Sequence, residues 1–117
     1  DEMTFAKDAN GNITLSVNNK GESFLIGAST AFYGKSGGDG CYSIAFNNPM
    51  QLAFMNATSG STSAISTGVQ FKVPGNGLIN FGTGGDVYEI LSISAKSIRL
   101  RNIGIDGNAW YQIFKVK

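Results

Sequence analysis

The residues of this chain that could do chemistry are eight carboxylates: Asp1, Glu2, Asp8, Glu22, Asp39, Asp86, Glu89 and Asp106. A glycosidase needs two such groups held about 5 to 9 Å apart across the scissile bond. Six of the eight fall in turns, loops or at the terminus, where Asp and Glu cap backbone amides. Glu89 shares two-residue parity with Val87, Leu91 and Ile93, and is read at the frayed start of that strand. The chain has no histidine and one cysteine, Cys41. That excludes the ordinary serine triad and leaves the thiol without a base. The expectation is a protein that is not an enzyme. Asp8-x-Asn10-x-Asn12 spaces its oxygens like the opening of a calcium loop, but the sixth-position glycine and distal glutamate are missing. A hairpin turn is its expected use, and no metal or cofactor is expected. Gly82-Thr83-Gly84-Gly85-Asp86 leads into a strand, so no helix N-terminus receives an anion, and the segment reads as a connector.

Carbohydrate recognition is the chemistry left. Sugars present apolar C–H faces and outward hydroxyls, which suit an aromatic plane flanked by short polar side chains. Two patches qualify. One gathers Tyr33, Asp39 and Tyr42, with Phe32, around the glycine-rich stretch 34–40. The other gathers Asp106, Asn108, Trp110 and Tyr111 at the last turn. Trp110 shares parity with Phe114 and Val116 and belongs to a core face, whereas Tyr111 has the opposite parity and should point outward. Tyr33, beside the loop, is the other exposed candidate.

The elements that must position these groups are strands. Ile13, Leu15 and Val17 alternate with Thr14 and Ser16, and Val69, Phe71 and Val73 with Gln70 and Lys72. Tyr42, Ile44 and Phe46 repeat the pattern. A period of two sends successive side chains to opposite faces. Turn signals separate the runs, Asn10-Gly11 most strongly. The polar stretch 56–63 reads as a flexible loop, and Pro74-Gly75-Asn76-Gly77 as a connector. The expected fold is all-β, an antiparallel β-sandwich or lipocalin-like β-barrel of about 8–9 short strands. No segment of ten residues has helical period.

At 117 residues and 42% hydrophobic content the chain is one domain, residues 1–117, with enough apolar side chains for a core without cross-links. Mean hydropathy is near zero. Charged residues are 15% and the net charge is +1, so neither nucleic acid nor an anionic membrane finds a basic footprint. Arg99 and Arg101 form the one dense basic spot and are read as a solvated strand face opposite Ile98 and Leu100. Cys41 is read as half-buried. No apolar run is long enough to span a membrane. The first five residues carry no signal-peptide pattern, so the expectation is a processed chain or one that begins inside a larger protein.

The segments Tyr88-Glu89-Ile90-Leu91-Ser92-Ile93, Ile98-Arg99-Leu100-Arg101 and Asp106-Gly107-Asn108-Ala109-Trp110-Tyr111, with Asp1-Glu2-Met3-Thr4-Phe5, Asp8 and Gly11, carry a resemblance. Together they resemble the terminal lipocalin-like, glycan-binding β-domain of secreted Bacteroides-type surface lipoproteins. The resemblance implies a periplasmic or outer cell-surface address, glycan contact and further domains in a parent protein. Asp106, Trp110 and Tyr111 map onto its last motif. In that family a tryptophan-containing segment precedes the Asp-Glu-x-Thr-Phe strand; here Asp1 opens the sequence. The combined expectation is a non-catalytic module for neutral glycans. The alternatives are a lipocalin-like barrel holding an apolar small molecule, a structural spacer, and a glycosidase remnant.

Overall fold

The structure, a computed structural model, describes residues 1–75 and 77–117. The connector expected at 74–77 contains Asn76, which lies outside the described residues. The fold is all-β. Its strands are β1 (Glu2–Lys7), β2 (Ile13–Asn18), β3 (Glu22–Leu25), β4 (Gly40–Ser43), β5 (Met50–Gln51) and β6 (Ala53–Asn56). They continue with β7 (Val69–Lys72), β8 (Phe81–Gly82), β9 (Val87–Ile93), β10 (Ser97–Ile103) and β11 (Ala109–Lys115). The count exceeds expectation because β5 and β8 are two-residue strands. The stretch before the glycine loop is a 3₁₀ helix, Gly27–Tyr33.

The strands form three sheets, ordered β1-β2-β5, β4-β3-β8 and β11-β10-β9-β7-β6. None closes into a barrel among the described residues. Pairing is antiparallel except between β3 and β8, which run parallel. In the first hairpin the Asp8 carboxylate accepts from the backbone N–H groups of Asn10 and Asn12, both at 2.9 Å. Gly11 supplies the positive φ of 84° that the turn requires.

The core joins the first and the five-stranded sheets. Leu15, Val17 and Met50 share one buried cluster with Phe71, Tyr88, Ile90 and Leu100. Phe71 stacks on Tyr88 at 5.8 Å between ring centres, with Phe5 and Phe54 packed around it. Each such side chain stabilises the fold by roughly 1.5–3 kcal/mol through burial. The Tyr88 hydroxyl accepts from the Ile79 N–H at 3.0 Å, and burial pushes its pKa far above the usual tyrosine range. Cys41 is exposed, not half-buried as expected, because β4 turns Gly40 and Tyr42 inward.

Asn102 fixes the glycine-rich segment 82–86 to the sheet. Fully buried, it donates to the carbonyls of Gly85 and Val87 at 3.1 and 2.8 Å and accepts from the Thr83 hydroxyl. The backbone comes so close that a Cβ at Gly85 would meet the Ile103 carbonyl oxygen at 2.2 Å. The glycines here serve packing.

Replacing Tyr88 with Phe should keep the ring stack and orphan the buried Ile79 N–H. The expected loss is about 1–2 kcal/mol in urea denaturation; an unchanged midpoint would show that the hydroxyl contributes nothing.

Candidate functional site

One row of side chains crosses the outer face of the five-stranded sheet. Met55 pairs with Gln70, Gln70 with Glu89, Glu89 with Arg101, and Arg101 with Tyr111. Directly paired residues share a face, and their neighbours Phe71, Tyr88 and Leu100 supply the core on the other. Gln70 and Glu89 are buried, while Tyr111 is 56% exposed.

The alignment of Glu89 with Arg101 depends on an irregularity. Arg99 faces Ser92, but Leu100 faces Ile90, so Leu91 is an extra residue on β9. This β-bulge resets the alternation. Glu89 shares its face with Ser92, not with Ile93, and the expected grouping with Leu91 and Ile93 is corrected. Nor is Glu89 at a frayed strand start: it pairs on both sides, to Gln70 and to Arg101.

The ion pair is short and shielded. Arg101 Nη2 donates to Glu89 Oε1 at 2.8 Å, with side-chain exposures of 15% and 8%. The stretch 56–63, expected to be a free polar loop, instead continues through Ser66 as the lid of this pair. Ser59 and Ser66 hydroxyls both donate to Glu89 Oε2, Ser59 at 3.1 Å. Arg101 also donates to Ser61 Oγ at 2.7 Å. The solvated reading therefore holds for the exposed Arg99 and fails for Arg101. Burial alone would raise the Glu89 pKa. The hydrogen bonds from Ser66, Arg101 and Ser59, with the Arg101 charge, outweigh it and hold the carboxyl below its ordinary 4.5. The Glu89 carboxylate, then the Tyr111 hydroxyl, strengthen the hold of Arg101 on its proton.

Beside this pair lies an open cleft of about 560 Å³. Ser59, Ser61 and Gln70 form one wall, Asp86, Glu89 and Arg101 the floor, and Ile103, Ala109 and Tyr111 the far rim. Lys72 reaches Asp86 at 3.8 Å.

Of the residues expected to bind, Tyr111 alone lines this cleft. Asp106 and Asn108 lie in the turn before β11, and Trp110 stands on the face of β11 opposite Tyr111. Asp106 accepts from the Asn108 N–H at 3.0 Å and the Trp110 indole at 3.4 Å, and the Asn108 amide bond leads the contacts that lower its pKa. Trp110 is half-buried against Phe81, 5.7 Å between ring centres. Parity thus separates Trp110 from Tyr111, and the four do not form one patch. Nor do Tyr33, Asp39 and Tyr42. Tyr33 is half-buried, not exposed, because its hydroxyl accepts from the Gly84 N–H at 3.1 Å; burial raises its pKa. Asp39 accepts from the Gly27 N–H, and the Tyr42 hydroxyl donates to the Gly38 carbonyl at 2.6 Å. Both hold their own loop in place. Tyr33 lines a second cleft, of about 590 Å³, with Phe32 and Phe46.

The sequence reading missed Glu89, Arg101, Gln70, Ser59 and Ser61 as a group. The one signal available was a Glu and an Arg on consecutive strands joined by a short turn. No family model, curated protein or solved structure matches the chain.

A carboxyl with a lowered folded pKa contributes stability above its unfolded value and loses it as pH falls through the folded one. The urea midpoint should therefore drop as pH falls below 4.5, and drop less in Glu89→Gln. At neutral pH that substitution should cost on the order of 2–4 kcal/mol by leaving Arg101 under its lid without a counter-charge. Parallel acid profiles for the two proteins would count against this role.

Proposed function

We propose that the protein is a non-catalytic carbohydrate-binding module of a bacterial surface or periplasmic protein, taking neutral glycans in the cleft beside Tyr111. The observation that carries this reading is an exposed tyrosine held in register with a fixed polar row. A sugar stacked on Tyr111 would turn its hydroxyls toward Ser61 and Asp86, short-reach groups that need little reordering. The near-balanced charge fits a ligand without charge of its own.

The non-catalytic reading draws support from Glu89. Both of its oxygens accept hydrogen bonds and its pKa lies low, the opposite of a general acid poised to protonate a leaving group. A spacer domain has no need of a concave surface with an exposed aromatic rim. A lipocalin-like carrier needs a lumen, whereas Leu15, Phe71 and Leu100 fill the space between the sheets; that shared cluster favours the sandwich arrangement. Weak single sites of this kind gain strength when several are presented together, as in a parent protein with further domains.

Tyr111→Ala should weaken retention in neutral-polysaccharide affinity gels roughly tenfold, the equivalent of about 1.4 kcal/mol. Tyr33→Ala should leave retention unchanged, since its hydroxyl is committed to Gly84. Equal mobility of wild type and Tyr111→Ala across a panel of neutral glycans would overturn the assignment.

A further inference from the structure

We infer that the sugar taken in the cleft beside Tyr111 carries an acetamido group, as N-acetylhexosamines do, with Arg101 holding the amide carbonyl and Ile103 and Ala109 covering the methyl. The inference rests on the glycan reading and names the class of sugar within it. Two neighbouring rungs of β10 and β11 carry it. Arg101 pairs with Tyr111, and Ile103, two residues away on its strand, pairs with Ala109. All four side chains therefore stand on the outer face. One rung is polar and aromatic, the other wholly apolar.

Arg101 keeps donors free for a ligand. Its hydrogen bonds to Ser59, Ser61 and Glu89 all leave from Nη2. Nε and Nη1 meet no acceptor in hydrogen-bond geometry among the described residues. Nor are they sealed from water, since among the buried and half-buried side chains described only Gln112 encloses unpaired polar atoms. The Tyr111 hydroxyl stands close enough to favour the charged guanidinium, so a sugar lying on the Tyr111 ring comes within reach of the free N–H groups. A carbonyl oxygen is a strong neutral acceptor for such a charged donor.

The apolar rung distinguishes an acetamide from a hydroxyl. Ile103 is 55% exposed, Ala109 is exposed, and Val87 lines the same cleft. A plain hexose presents hydroxyls at its ring edge and would set them against this wall. An acetamide carries a methyl beside its carbonyl, so one substituent satisfies both rungs. Its N–H has an acceptor in the Asp86 carboxylate on the cleft floor, whose side chain is 21% exposed. Charge distinguishes an acetamide from a carboxylate. Glu89 pairs with Arg101 and Asp86 with Lys72, so no cation is left over for a uronic acid.

Titration calorimetry on the wild type should give N-acetylchitotetraose an affinity about tenfold above that of cellotetraose, which has the same linkage without the acetamides. In nitrogen–proton correlation spectra the Arg101 Nε–H resonance should move further with the acetylated oligomer than with cellotetraose. Ile103→Ser, at an exposed position, should lower affinity for N-acetylchitotetraose about fourfold and narrow the preference. Cellotetraose bound as tightly as the acetylated oligomer, deacetylated chitotetraose bound more tightly than either, or a preference untouched by Ile103→Ser would overturn the inference and leave the glycan reading standing. Failure of all three oligomers to bind would overturn it too, and the affinity-gel panel then decides the glycan reading on its own.

Discussion

A charged pair on the outer face of a sheet does little until water is kept from it, and in this protein one serine-bearing loop does that. Ser59, Ser61 and Ser66 lie over Glu89 and Arg101 and complete their hydrogen bonds. Exposed pairs of this kind contribute only about 0–1 kcal/mol. Shielding raises the stakes: the pair orders the loop, and the loop gives the cleft its second wall. The width of the cleft follows from that mutual dependence, while Gln70 and Tyr111 take their places from strand register.

The opposite face carries the hydrophobic load. Phe71, Tyr88 and Leu100 alternate with Gln70, Glu89 and Arg101 along the same three strands, so the row and the core are two sides of one backbone. A shift of one residue in any of these strands would exchange them. The buried Tyr88 hydroxyl and the Asn102 amide tie the sheet to the segments at 79 and 82–86. They are polar anchors in an apolar setting, where geometry must be satisfied in full.

Period-two alternation identified the all-β class and the main strands, since the face rule acts locally and needs no knowledge of partners. It also separated Tyr111 from Trp110 correctly. It misplaced Glu89, because the extra residue at Leu91 carries no glycine or proline to announce it. It misjudged Arg101, because a strand's outer face says nothing of a distant loop that returns to cover it. Tyr33, Asp39 and Tyr42 were read as one ligand patch around the glycine-rich stretch. Their partners are backbone atoms of Gly84, Gly27 and Gly38, which composition cannot reveal. The parallel pairing of β3 with β8 was hidden for the same reason: it joins segments more than fifty residues apart.

The bulge at Leu91 separates the hairpin's tip from its base. Register near Ser94 and Ser97 follows the turn, while register at Glu89 and Arg101 is one residue out of step with it. The two ends can thus diverge independently in evolution. Loss of the single codon for Leu91 would straighten the ladder and leave both charges facing each other, so the ion pair can outlast changes of length at the tip.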